Sequence, residues 1–236
     1  MKITKIRNRN IMFTAAESAD YIVNMAVILG TKHNFIIDTG IGGDCAYEML
    51  DYIGDDSKPI IVINTHGDWD HMAGNWVLED KVIVSHLLAY DWFDKQWDER
   101  TKSGQQEFHQ WAKENDRYVE GEIRKCMPNM LFEGSLHFPE DGISLFHTPG
   151  HTPGCISIYD SLDKVLHTGD SFGAVDGKAY FWGKDLADFR RLVETYKQYD
   201  FEVCISGHSE PQTKEVIGWL EAALVEAQKE QGGEVS

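Results

Sequence analysis

The sequence predicts an α/β protein in which sheets carry helices on their outer faces. Three observations carry that reading. Short β-rich runs recur along the chain, most of them bounded by Gly, Pro, Asp or Asn. Helical patterns fall between some of the runs, in an order that is neither strictly βαβ nor all-β. Histidines and aspartates also gather where strands should stop, a usual place for a site in an α/β protein.

In chain order the strand candidates are YIVNMAVIL (21–29), NFIID (34–38), PIIVIN (59–64), KVIVS (81–85), ISLFH (143–147), CISIYD (155–160), KVLHT (164–168) and EVCIS (202–206). Helical patterns run from Gly43 to Ile53, His71 to Leu78, Asp185 to Tyr199, and Pro211 to about Lys229. Residues 86–130 stand apart, with Trp92, Trp97, Phe108, Trp111 and Tyr118 among many charges and no strand pattern. They read as helices inserted into the sheet protein, whose aromatics either seal the insertion onto the body or line a substrate pocket. No repeat or linker divides the chain before the polar tail QGGEVS, so residues 1–236 are read as one domain with a helical insertion at about 86–130.

A chain of 236 residues can bury a full core. Its net charge of −17 argues against nucleic acid, because phosphate contacts need clustered Lys and Arg. The basic opening MKITKIRNRN is not followed by the apolar stretch of a signal peptide, and no run approaches the roughly 20 apolar residues that span a membrane. The expectation is a soluble, cytoplasmic protein with a small-molecule substrate and no membrane partner, with a homodimer left open. Cys45, Cys126, Cys155 and Cys204 lack CxxC spacing and read as reduced, mostly buried thiols.

The densest chemistry lies in THGDWDH (65–71), directly after PIIVIN. His66, Asp68 and Asp70 fall at i, i+2 and i+4, with His71 next, and a tight loop can aim alternate side chains in two directions. Two adjacent metals would use that. Further candidates stand at later strand ends: His147 and His151 in HTPGHTPG (147–154), Asp170 in HTGD (167–170) and His208 in SGH (206–208). Imidazoles and carboxylates together suit hard-to-borderline divalent ions.

This ordered series resembles the metallo-β-lactamase superfamily, whose pattern is HxHxDH, then His in an HTPGHTPG-like turn, Asp in a TGD-like turn, and a late His. The resemblance runs from NFIIDTG (34–40) to SGH (206–208). It implies a four-layer αββα sandwich with a metal site at one edge, between the sheets. It further implies that His66, Asp68 and His151 hold one metal, that Asp70, His71 and His208 hold the second, and that Asp170 bridges them. His147 and His167 match no ligand position. Asp38 matches a residue near the family's site, and either supports a ligand or stabilises its own turn. The departure is Asp68, where the common pattern has His: a shorter, anionic oxygen ligand that binds directly, through water, or weakly. Two divalent ions are expected, Zn²⁺ first, with Fe²⁺ or Mn²⁺ gaining ground because the site is harder.

Such a pair implies a hydrolase acting on a small-molecule ester, thioester or lactone through a metal-bridging hydroxide, with Asp70 and Asp170 as the carboxylates nearest the chemistry. Tyr180, Trp182 and Lys184 are candidate substrate contacts at the pocket mouth, Lys184 pairing a substrate carboxylate; ordinary surface and packing roles are the competing reading. Asp68 keeps open a non-haem iron redox enzyme of the same superfamily, a sulfur dioxygenase or a diiron oxygen or nitric-oxide reductase. A non-enzymatic sensor on a degenerate hydrolase fold is the third reading.

Overall fold

The computed structural model describes residues 1–15, 22–97, 124–183 and 185–233. Among them, two large sheets face one another. The first orders its strands β1 (Lys2–Lys5), β2 (Asn10–Ala15), β3 (Val23–Leu29), β4 (Asn34–Ile37), β5 (Ile60–Ile63), β6 (Val82–His86) and β7 (Met130–Phe132), antiparallel as far as β4 and parallel beyond it. In space the second runs β15 (Gln212–Thr213), β14 (Val203–Ser206), β11 (Val165–Gly169), β10 (Ile156–Asp160), β9 (Ile143–His147) and β8 (Ser135–Phe138). A hairpin of β12 (Phe172–Val175) and β13 (Lys178–Phe181) stands beside them.

Strand periodicity sorts the apolar residues into three layers. Along β3, Ala26 and Ile28 point inward to join Phe35, Ile37, Ile61 and Ile63 against Leu145, Ile156 and Ile158 of the opposite sheet. The alternate residues Val23, Met25 and Val27 point outward, where α1 (Gly43–Ile53) covers them with Cys45, Ala46, Met49 and Ile53. On the far side, Phe146, Leu166 and Cys204 meet α4 (Leu186–Lys197), whose Phe189, Leu192, Val193 and Tyr196 recur at the spacing of one helical face, together with Val216 and Leu220 of α5 (Val216–Gly233). Helix, sheet, sheet, helix is therefore the layer order. It explains why the central strands β2–β5 and β9–β11 read as nearly continuous apolar runs: they are buried on both faces.

The pattern from His71 to Leu78 is not one helix. Thr39 N–H binds the carbonyl of His71 and Ala73 N–H binds that of Gly40, so the turn after β4 competes for this backbone. What forms is a single turn, α2 (Trp69–Met72), followed by a 3₁₀ turn over Asn75–Leu78. Of the inserted segment, α3 (Leu87–Gln96) is helical, Trp97 is buried after it, and the chain re-enters the sheet at β7; Phe108, Trp111 and Tyr118 lie outside the described residues. Cys45, Cys155 and Cys204 are buried free thiols, and Cys126 is half-buried. No described helix is long and apolar enough to cross a membrane.

Candidate metal centre

The ligand candidates meet at one pole, where β4, β5, β11 and β14 end. Asp38, directly after β4, holds the left-handed conformation at φ 57°, a region Asp tolerates better than most residues. This turns its buried carboxylate across the mouth of β5. Oδ1 accepts from Thr65 N–H at 2.7 Å, and Oδ2 accepts from Thr65 Oγ1 at 2.7 Å and from His71 Nδ1 at 2.8 Å. Because the Thr65 hydroxyl is spent on Asp38, its 3.0 Å contact with His66 Nδ1 requires the imidazole to donate. His208 likewise donates Nδ1–H to the carbonyl of Ile22 at 2.5 Å. In their neutral forms His66, His71 and His208 therefore all present Nε2 as a lone pair to the same space.

That space holds two groups whose ligand atoms lie within 4.8 Å of one another: His66, His151 and Asp170, and Asp70, His71 and His208. Asp170 addresses both. Its Oδ2 lies 3.6 Å from His66 Nε2, 3.7 Å from His151 Nε2 and 2.9 Å from His208 Nε2, while its Oδ1 lies 3.4 Å from His71 Nε2. Asp70 Oδ2 is 3.7 Å from His71 Nε2 and 3.5 Å from His208 Nε2. Asp68 flanks the first group, its Oδ2 2.9 Å from His151 Nε2 and 3.8 Å from His66 Nε2. Gly207 makes this approach possible, since a Cβ there would lie 2.1 Å from Asp170 Oδ1 and 2.8 Å from the His71 ring.

The donor set fits divalent cations. His66 Nε2 and Asp170 Oδ1 are fully buried and have no hydrogen-bond partner, a costly state for polar atoms that cations bound at the two groups would relieve. Electrostatics point the same way. Burial opposes charge on His71, yet Asp170, Asp70 and Asp38 hold its pKa well above the usual range. Burial likewise opposes charge on His208, but Asp170 lifts it to about 9. Asp170 is itself held far below the ordinary carboxylate range against its burial, chiefly by His71, His208 and His66. The carboxylates thus favour positive charge at His71 and His208, whereas burial and the neighbouring His71 hold His66 below its usual range.

A cavity of about 680 Å³ opens from this pole, lined on the metal side by Asp68, Asp70, His151, Asp170 and His208. Its outer wall includes Val175, Tyr180 and Trp182. The Trp182 ring lies 6.0 Å from that of His151 and 5.9 Å from that of His208, and Tyr180 packs 5.3 Å from Trp182. Lys184 lies outside the described residues. Buried thiols offer no competing nucleophile, because burial pushes Cys45, Cys155 and Cys204 up to about 12. His167 turns away to bond Asn10 Oδ1 at 2.9 Å, and His147 stacks on His86.

Residues 19–208 match the family model of the metallo-beta-lactamase superfamily. The chain belongs to that superfamily. Its curated relatives include the acyl-coenzyme A thioesterase MBLAC2 of Homo sapiens, 22% identical over 212 residues that span 78% of this chain and 72% of that one. The Gallus gallus MBLAC2 is 23% identical over 214 residues, with the same coverage. Among solved structures, TMB-1 superposes with a TM-score of 0.69 at 16% identity over 98% of both chains. The metallo-beta-lactamase from Pontibacter korlensis superposes at 0.67, 18% identical over 95% of this chain and 98% of that one. These likenesses show the fold of the metallo-β-lactamase superfamily.

Two residues of this superfamily member were not readable as site residues. Trp92 of α3 donates its indole N–H to Asp68 Oδ1 at 2.7 Å. Asn24 of β3 binds the carbonyls of Ser206 and Ser209 through Nδ2 at 2.9 and 2.8 Å, bracing the loop that carries His208. Trp92 is visible in the sequence only as one aromatic among several. Asn24 had one weak signal, a polar residue within the apolar run YIVNMAVIL.

Proposed function

We propose that the chain is a hydrolase that holds two divalent cations, Zn²⁺ in the first place, and cleaves a small-molecule thioester. Esters and lactones present the same acyl carbonyl and are the neighbouring substrates. The observation that carries this reading is the approach of Asp170 to members of both ligand groups, with His66 Nε2 and Asp170 Oδ1 buried there without a hydrogen-bond partner. His66, His151 and Asp68 would hold one cation, Asp70, His71 and His208 the other, and Asp170 both. Bound there, the pair supplies a lowered pKa for water and Lewis-acid polarisation of an acyl oxygen.

The chain's own residues perform the rest. Asp70 and Asp170 line the cavity beside the ligand histidines and would orient the attacking water. Water adds to the acyl carbon and the C–S bond breaks, leaving a carboxylate, a thiol and one proton. Tyr180 and Trp182 offer an aromatic wall for the acyl group, and Lys184 a cation for a substrate carboxylate. The thioester preference rests on the curated relatives, which are acyl-coenzyme A thioesterases at 22–23% identity. The cytoplasm is the proposed setting, because four free thiols persist in a reducing compartment.

Elemental analysis of the purified protein, followed by a panel of thioesters, lactones and phosphodiesters, tests the proposal. Close to two metal equivalents per chain are expected, with thioester turnover lost on chelation and restored by Zn²⁺. Full activity in metal-free protein would overturn it. Iron content with oxygen uptake would select the redox reading that the Asp68 carboxylate favours.

A further inference from the structure

Helix α3 belongs to the inserted segment, yet it is keyed to the two loops that carry His66, Asp68 and His151. Its N-terminus is capped by His86, whose Nδ1 accepts from Leu88 N–H at 3.2 Å. The His86 ring stacks on that of His147 at 4.0 Å, the planes 7° apart, and His147 donates Nε2–H to the carbonyl of Pro153 at 2.7 Å. The start of α3 is thereby tied to the HTPGHTPG turn that presents His151. Backbone follows the same course. A Cβ on Gly154 would lie 2.1 Å from Ala89 N, and one on Gly67 would lie 2.5 Å from Ala89 O and 3.0 Å from Trp92 Cδ1. Both ligand loops therefore press their bare glycine backbones against the first turns of this helix.

From that seat Trp92 donates to Asp68 Oδ1 at 2.7 Å, while Asp68 Oδ2 faces His151 Nε2 at 2.9 Å and His66 Nε2 at 3.8 Å. Asp is shorter than the histidine common at this slot, and a free carboxylate can rotate either oxygen toward a cation. An indole N–H suits the task of fixing one oxygen. It donates only, so it cannot bind metal itself, and it is uncharged, so it does not repel a cation.

We propose that Trp92 is a positioning residue for Asp68, holding Oδ1 and leaving Oδ2 as the oxygen offered to a cation at His66 and His151. The inserted helix is then part of the metal centre rather than a cover over it. This rests on the metal-binding reading above but not on the identity of the substrate.

The test is a Co²⁺ titration of metal-free wild type, Trp92→Phe, Asp68→Ala and the double variant, followed by visible absorbance. Phe keeps the ring against Gly67 and removes the donor. Loss of an orienting partner typically costs about 10–100-fold in metal affinity. Trp92→Phe should lose that much in the same one of the two binding steps that Asp68→Ala impairs, and the double variant should bind no more weakly than Asp68→Ala alone. Wild-type affinity in both steps for Trp92→Phe, or losses that add in the double variant, would overturn the proposal. Should Trp92→Phe fail to fold, hydrogen exchange of the Trp92 indole decides. Protection in wild type that disappears in Asp68→Ala supports the bond, and equal exchange in both refutes it. Wild type that takes up no Co²⁺ would overturn this proposal and the hydrolase reading together, whereas unchanged binding by Trp92→Phe would overturn this one alone.

Discussion

His71 donates Nδ1–H to Asp38 Oδ2 at 2.8 Å, and this bond determines which nitrogen of a buried imidazole faces the metal pole. Asp38→Asn probes it without backbone strain, because Asn also tolerates the left-handed conformation found here. The new amide NH₂ must oppose either the Thr65 N–H, which cannot turn, or the Thr65 hydroxyl and His71, which can. The second arrangement wins and flips the His71 tautomer. One of two metal equivalents should bind about 10–100-fold more weakly, as calorimetric titration would register. Unchanged affinity in both steps would show that the tautomer is set elsewhere.

Asp170→Asn should disable both sites at once. Its Oδ2 faces His66, His151 and His208, and its Oδ1 faces His71, so it touches members of both groups. An amide supplies one oxygen and a donor that opposes metal binding. Metal content should fall below one equivalent, and hydrolysis by more than about a hundredfold, the upper end of what an outer partner alone costs. Two retained equivalents would show that Asp170 is not shared.

Gly207→Ala should act through the same carboxylate from behind. The added Cβ would sit 2.1 Å from Asp170 Oδ1, and Gly207 is not in the left-handed region, so crowding rather than backbone strain is the effect. Overpacking of this kind costs about 1–3 kcal/mol. Thermal unfolding of the metal-free protein should show that loss, and metal uptake should fall with it. A variant with wild-type melting and metal content would contradict the crowding.

Acid should destabilise the fold through His167. Burial holds this imidazole at about 4, against an ordinary value near 6.5. Above pH 6.5 neither folded nor unfolded chain carries the proton, and the stability is complete. As pH falls from 6.5 toward 4 the unfolded chain takes up the proton and the folded one does not, a loss that grows to about 3 kcal/mol. His167→Gln keeps a donor for Asn10 Oδ1 and lacks the titration. Denaturant melts of the metal-free proteins at pH 7 and 4.5 should show wild type losing more than the variant. Equal losses would place the acid sensitivity elsewhere.

Much of the fold was legible because both faces of most strands are buried. ISLFH coincides with β9, and the pattern from Gly43 to Ile53 coincides with α1. Burial alone did not make a strand legible, since β2 is buried throughout and stands outside the strand candidates. β1 is an exposed edge strand whose lysines broke the apolar alternation. The β12–β13 hairpin turns at Asp176 and Gly177, both at positive φ, the conformation for which an Asp-Gly pair is the sequence signal. The ligand candidates were visible because each follows a strand end. Trp92 was not, because nothing local ties an aromatic in an inserted helix to an aspartate 24 residues earlier.

Asn24 binds Ser206 and Ser209 across the two sheets, and the ligand candidates are divided along that same line. His66, Asp68, Asp70 and His71 come from the half containing β5, whereas His151, Asp170 and His208 come from the half containing β11 and β14. Neither half holds a complete set, so a cation would be captured only after both have docked. Its influence would therefore fall on the rate at which the assembled protein comes apart, and hardly on the rate at which it forms. Metal availability would then set how long each assembled molecule lasts rather than how fast it assembles.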